Sequence, residues 1–139
     1  MRRNYFALVC IMIALGIAAG AFGAHGLENK ISDRYLDIWK TGWTYWMYNA
    51  IALMSVISFV QRQGSDDDFA RKIYGKWGVL FWIILGSLIF TFSLSFLSLN
   101  EVLGSGLKIL GAVTPIGGSI QIVAWLLLAI RLIKHNRVS

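Results

Sequence analysis

Few side chains in this sequence could take part in chemistry, and those within the apolar runs are mostly uncharged. His25, Asn49, Thr114 and Gln121 are the polar groups that stand out there. No HExxH motif, nucleophile–base pair or pair of carboxylates occurs within an apolar run, and a single histidine does not make a catalytic set. Cys10 is the only cysteine, which excludes an internal disulfide and a multi-cysteine metal site. We therefore expect no enzyme activity, no catalytic residue, no metal site and no cofactor.

The polar groups fall where the charge distribution, described below, places the outer half of a membrane. We expect them to converge on one outward-facing pocket framed by tryptophan and glycine. The expected ligand-binding residues are His25, Trp39, Trp43, Asn49, Thr114, Gly117 and Gln121. A polar cluster beneath an aromatic rim suits a lipid headgroup or a small amphiphile. The other interpretation is that these groups hydrogen-bond one another and stiffen the protein.

The composition predicts the elements that must position these residues. Of 139 residues, 57% are hydrophobic and 14% are charged, whereas a soluble domain carries charge at roughly a quarter of its positions. The charges lie between apolar runs of about 20 residues, the length that an α-helix needs to cross the hydrocarbon core. The sequence predicts an all-α, four-helix transmembrane bundle, a single integral membrane domain over residues 1–139, with helices at about 5–24, 42–61, 77–99 and 114–134.

The lysines and arginines predict the orientation. Nine of the thirteen fall on one predicted side, and the other four are Lys30, Arg34, Lys40 and Lys108. Cytoplasmic loops carry the excess of positive charge, so both termini are expected in the cytoplasm. The same bias accounts for the net charge of +6. Anionic headgroups, and not nucleic acid, are therefore the expected partners of the basic residues.

Small residues of the first helix predict close helix packing. Gly16, Gly20 and Ala24 recur every four residues, and Ala19 and Gly23 form an adjacent row. Such rows let two helix backbones approach in lipid. The expected packing residues are Gly16, Gly20, Gly23 and Gly118. The same rows suit a homo-oligomer or a partner membrane protein.

Two irregular features are expected beside the membrane helices. Apolar residues at helical spacing from Ile31 to Gly42 predict a short amphipathic helix at the interface, bending into the second membrane helix. A threonine cap followed by proline at the first helical position signals a helix start. The fourth helix is therefore expected to begin at Thr114–Pro115, after a broken, shallow segment at 102–110.

Three blocks of the sequence resemble a known family. They are Gly20-Ala21-Phe22-Gly23-Ala24-His25-Gly26-Leu27, Gly86-Ser87-Leu88-Ile89-Phe90 and Thr114-Pro115-Ile116-Gly117-Gly118. Over nearly its whole length the chain resembles the small four-helix inner-membrane proteins of the YgdD/YwdK type, a family of unknown function. The resemblance implies four membrane helices in a bacterial cytoplasmic (inner) membrane. It implies no reaction and no catalytic residues.

Together these features favour a non-enzymatic membrane protein. We expect it to bind a lipid, a small amphiphile or a partner membrane protein through the polar pocket and the glycine rows. The alternative is a small transporter or channel whose path uses the broken Thr114–Gly118 segment. Ion-coupled transport usually places charged groups inside the membrane, and none occurs in a predicted helix core.

Overall fold

The computed structural model describes residues 2–62, 67–104 and 110–136, which form helices and turns without a strand among them. The helices, in chain order, are α1 (Arg2–Ala21) with a π-helical turn (Phe22–Gly26), α2 (Asp33–Arg62), α3 (Asp67–Tyr74), α4 (Val79–Ser98), α5 (Asn100–Leu103) and α6 (Leu110–Asn136). The all-α class predicted from the sequence is confirmed.

Three helical stretches of the described chain are long and apolar enough to cross a membrane. They are Asn4–Gly26, Asp68–Ser98 and Leu110–His135. α2 is 30 residues long, but its residues 33–49 include charged side chains, tyrosines, tryptophans and Asn49. These residues lower its hydropathy, so length and composition alone support three of the four predicted membrane helices.

The long helices pack largely in chain order. α1 packs on α2, α2 on α4, and α4 on α6. The centre of this arrangement is made of fully buried aliphatic side chains of α2 and α4, including Leu53, Ile57, Leu80 and Ile83. Because α2 and α6 both pack against α4, they flank a groove above it.

The predicted interfacial helix is corrected by the structure, because α2 runs without interruption from Asp33 to Arg62. Its indole side chains Trp39, Trp43 and Trp46 are buried. This row of tryptophans therefore belongs to the helix–helix core. Anchoring at headgroup depth, a common role of tryptophan in membrane proteins, would leave these rings at the surface.

The predicted start of the last helix is also wrong. α6 begins at Leu110, and Pro115 lies inside it. Pro115 is the sixth residue of α6, so its missing N–H leaves the carbonyl oxygen of Gly111 without its usual helical donor, a loss confined to the first two turns. The Thr114 hydroxyl donates back to the carbonyl oxygen of Leu110 (3.2 Å) and so does not cap a helix. Of the predicted broken segment, residues 105–109 lie outside the described residues.

α3 closes the end of the helix array at which α1 begins. The Tyr74 hydroxyl donates to the carbonyl oxygen of Ile57 on α2 (3.2 Å). The Tyr5 hydroxyl of α1 donates to the carbonyl oxygen of Gly75 (3.4 Å), and Arg131 of α6 donates to a backbone carbonyl of α3. These bonds join α3 to three of the long helices.

At the opposite end, α5 is bonded to the segment that precedes α2. The Glu101 carboxylate accepts hydrogen bonds from the backbone N–H of Ser32 (2.6 Å) and from its hydroxyl (3.0 Å). Ser32 and Glu101 thus join two parts of the chain that are distant in sequence.

Candidate functional site

Two amide side chains from different helices meet between α2 and α6. Asn49 Nδ2 donates to Gln121 Oε1 (2.6 Å), and both residues are buried. Gln121 Nε2 donates in turn to the carbonyl oxygen of Gly86 on α4 (3.2 Å). The pair thus links three helices, as polar side chains at membrane depth commonly do.

The neighbours of this pair fix the orientation of both amides. Trp125 Nε1 donates to Asn49 Oδ1 (2.8 Å), and an indole N–H can only donate. The Asn49 nitrogen therefore faces Gln121, and it also donates to the carbonyl oxygen of Tyr45 (2.9 Å). Gln121 Nε2 has a second acceptor in the carbonyl oxygen of Gly117 (3.4 Å). All four amide hydrogens are thus bonded within the protein.

A groove of about 830 Å³ lies beside this cluster, between α2 and α6. Its lining is mostly aliphatic and aromatic, with the two amides among it: Thr41, Tyr45, Tyr48, Asn49, Ala52, Phe90, Gly118, Gln121, Ile122, Trp125 and Leu126. The volume is within the range of small-molecule sites, roughly 300–1,000 Å³. We call this cavity the α2–α6 groove.

Two helix backbones approach each other closely between α4 and α6, next to the groove. A Cβ atom placed on Gly117 would lie 2.5 Å from the backbone nitrogen of Phe90 and 3.0 Å from the carbonyl oxygen of Gly86. A Cβ atom on Gly86 would lie 3.0 Å from the carbonyl oxygen of Gly117. Gly117, expected to contact a ligand, is therefore a packing residue. Gly118, expected to pack, lies beside the Phe90 ring and also lines the groove.

Two indole hydrogen bonds join α2 to the backbone of α1. Trp39 Nε1 donates to the carbonyl oxygen of Ala19 (3.0 Å), and Trp46 Nε1 donates to that of Met12 (2.6 Å). We call these the indole bridges. A Cβ atom on Gly23 would lie 2.7 Å from Trp39 Nε1. The lack of a side chain at Gly23 is what gives the indole access to the α1 backbone.

Gly16 plays the same part for the second bridge. A Cβ atom there would overlap the Met47 sulfur and lie 3.2 Å from Cδ1 of Trp46. The packing roles predicted for Gly16 and Gly23 fit this geometry. The role predicted for Gly20 does not, since a Cβ atom there would meet no atom of the described chain within 4 Å.

Trp43 lies between the two bridging tryptophans but makes no bridge. Its ring packs edge-on against Trp46 and Phe92, and its Nε1 is buried with no hydrogen-bond partner in the described part of the chain. Trp39 and Trp43 therefore belong to the α1–α2 side of the protein. Neither lines the α2–α6 groove.

Two other predicted site residues lie outside the cluster. His25 is exposed in the π-helical turn and does not line the groove. Thr114 shares a hydrogen bond with Ser93 of α4 (2.9 Å), two turns of α6 away from Gln121. Of the predicted ligand-binding residues, the structure brings together Asn49 and Gln121. No cluster of His, Cys, Asp and Glu that could hold a metal ion occurs among the described residues.

Comparison with known proteins places the chain in a family. The model of DUF423, a protein of unknown function, matches residues 19–118. The chain belongs to the DUF423 family. Over 132 residues it is 38% identical to a UPF0382 membrane protein of Staphylococcus epidermidis, covering 95% of this chain and 97% of the relative. It is 37% identical over 136 residues to the UPF0382 membrane protein YwdK of Bacillus subtilis, covering 96% and 98%. No solved structure matches this chain.

The resemblance stated from sequence blocks is thus confirmed, and this DUF423 protein is a membrane protein by its relatives. Trp125, Tyr45 and Gly86 also take part in the amide cluster and were not among the predicted site residues. Trp125 stands four residues after Gln121, on the same helical face, and that spacing was the available signal. The parts played by Tyr45 and Gly86 rest on backbone carbonyls, which no side-chain pattern can reveal.

Proposed function

We propose that this DUF423 protein is a non-enzymatic integral membrane protein that binds a lipid or small amphiphile in the α2–α6 groove. The observation that carries the proposal is the groove itself, whose walls are mostly apolar and aromatic and in which the amides of Asn49 and Gln121 lie together. A lipid chain can enter such a groove from the side if it opens within the membrane. The proposed binding site therefore differs from the pocket expected from the sequence, because neither His25 nor Trp43 lines it.

We propose further that α2 is the fourth membrane-crossing helix, with both termini in the cytoplasm of a bacterial inner membrane. Thirty residues of α-helix extend about 45 Å, longer than the hydrocarbon core of about 30 Å. The indole bridges join α2 to α1 near one end, and Tyr74 joins it to α3 near the other. A helix packed along its length against membrane-spanning neighbours crosses with them.

The transport alternative was based on a broken segment at Thr114–Gly118, which the structure does not have. Thr114–Gly118 is continuous helix, its threonine is bonded to Ser93, and Gly117 is packed against the α4 backbone. An interrupted helix with unsatisfied backbone groups, the usual sign of a transport site, is not present in this segment.

The proposal is tested by filling the groove. Ala52 lines it, so Ala52→Trp should block the space that a lipid chain would occupy. Ala129 is exposed on α6 and outside the groove lining, so Ala129→Trp adds the same bulk elsewhere on the surface. Each protein is purified from membranes and analysed by native mass spectrometry.

We expect lipid adducts on the wild type and on Ala129→Trp, and their loss on Ala52→Trp. Equal adducts on all three proteins would contradict the proposal. A dimer of the wild type that Ala52→Trp converts to a lipid-free monomer would contradict it as well, because the groove would then hold a second copy of the chain.

A further inference from the structure

We infer that the ligand of the α2–α6 groove is an uncharged lipid that carries a hydroxyl group on a long hydrocarbon chain. The inference rests on the proposed function and adds the chemistry of the polar end. It follows from which hydrogen-bond donors and acceptors that line the groove already have a partner and which do not.

The donors of the amide cluster are occupied. The hydrogens of Asn49 Nδ2 and Gln121 Nε2, and that of Trp125 Nε1, all have acceptors within the protein. The Thr41 hydroxyl donates to the carbonyl oxygen of Asp37 (2.8 Å). A phosphate or carboxylate, which only accepts when ionised, would find no free amide or indole hydrogen here.

The lining of the groove also lacks a positive charge. None of the lining residues is Lys, Arg or His. Lys40 lines a separate, smaller groove beside α1. Because burying an ion without a counter-charge is costly, an anionic headgroup is disfavoured beside Asn49 and Gln121.

What remains in the amide cluster is acceptor capacity, and the phenol hydroxyls of Tyr45 and Tyr48, which also line the groove, can donate or accept. Each amide oxygen accepts one hydrogen bond, Asn49 Oδ1 from Trp125 and Gln121 Oε1 from Asn49, and a carbonyl oxygen has two lone pairs. A ligand hydroxyl can therefore donate to either amide oxygen. The walls beyond it, formed by residues such as Ala52, Ile122 and Leu126, suit hydrocarbon.

The test compares lipids that differ only at the polar end. Wild-type protein in detergent is equilibrated with dioleoylglycerol, with its O-methyl ether, or with dioleoyl phosphatidate, and the bound fraction is measured by native mass spectrometry. We expect the bound fraction of phosphatidate to be at least about tenfold lower than that of dioleoylglycerol, since its charge is unpaired in the groove. The methyl ether should bind several-fold more weakly, because it cannot donate.

Ala52→Trp and Ala129→Trp separate failure of this inference from failure of the proposed function. If phosphatidate binds as well as dioleoylglycerol and Ala52→Trp removes both, the groove binds lipid but the headgroup inference is wrong. The inference also fails if the ether and the alcohol bind equally. If Ala52→Trp leaves every adduct unchanged, the proposed function itself fails.

A second pair of ligands distinguishes the two sources of such a hydroxyl. The long-chain isoprenoid alcohol solanesol and its phosphate are measured in the same way. Preference for the alcohol over its phosphate in each pair supports the inference, and the pair with the larger bound fraction identifies a glycerolipid or an isoprenoid chain. A phosphate that binds as well as its alcohol, in either pair, would overturn it.

Discussion

The α1–α2 contact and the α4–α6 contact both depend on glycine, but the glycines admit different groups. Between α4 and α6, Gly86 and Gly117 bring backbone against backbone. Between α1 and α2, Gly23 leaves room for an indole ring that reaches the carbonyl oxygen of Ala19. The first contact is a matter of close packing, and the second is a side chain-to-backbone hydrogen bond.

The difference predicts how each contact tolerates an added methyl group. A backbone can move only together with its helix, whereas a side chain can rotate away at the cost of its own interactions. The α4–α6 contact also holds Gln121, whose amide bonds to Gly86 and Gly117. A substitution that separates α4 from α6 should therefore also disturb the α2–α6 groove, whereas a substitution between α1 and α2 should not.

The largest effect is expected from Gly117→Ala. The new methyl group would lie 2.5 Å from the Phe90 nitrogen, so α4 and α6 must separate, and we expect a loss of about 2–3 kcal/mol in the free energy of unfolding. Gly118→Ala is the matched control, because its methyl group would lie 3.6 Å from the Phe90 ring, an ordinary contact. Unfolding by SDS in mixed micelles measures both. Equal stability of the two variants would refute close packing at Gly117.

A smaller effect is expected from Gly23→Ala. Its methyl group would displace the Trp39 indole and break one indole bridge, which costs about 1–2 kcal/mol in unfolding free energy. Gly20→Ala, which meets open space, should be neutral in the same assay. If the loss comes from the broken bridge, Gly23→Ala should lower the free energy of unfolding much less in a Trp39→Phe background than in the wild type. If the losses of the two single variants simply add in the double variant, Gly23→Ala does not act through the indole bridge.

These glycines show how far sequence reasoning reaches. The rows of small residues predicted that α1 packs closely, and Gly16 and Gly23 do face α2. Spacing alone could not tell which row is used, because Gly20 belongs to the same pattern and faces open space. A better signal was available: Gly16 and Gly23 are seven residues apart, as are Trp39 and Trp46. Matching two-turn spacings on neighbouring antiparallel helices indicate paired contacts.

The polar site was predictable in part for a similar reason. A buried amide at membrane depth must be bonded, so a partner for Asn49 on another helix was a sound expectation, and Gln121 is that partner. The position of Thr114 depended on where α6 begins. Pro115 gives a strong start signal, yet α6 already begins at Leu110, and Thr114 is hydrogen-bonded to Ser93 of α4.

The smallest effect is expected within the row of Trp39, Trp43 and Trp46 on α2. Trp46→Phe should lower the free energy of unfolding by about 1 kcal/mol, because it loses the hydrogen bond to Met12. Trp43→Phe removes a buried N–H that has no partner in the described chain, so the lost ring area is offset and stability should change little or rise. Both are measured by unfolding in SDS. If Trp43→Phe proves the more damaging of the two, the Trp43 N–H has a partner beyond the described residues, and the row acts as three bridges instead of two.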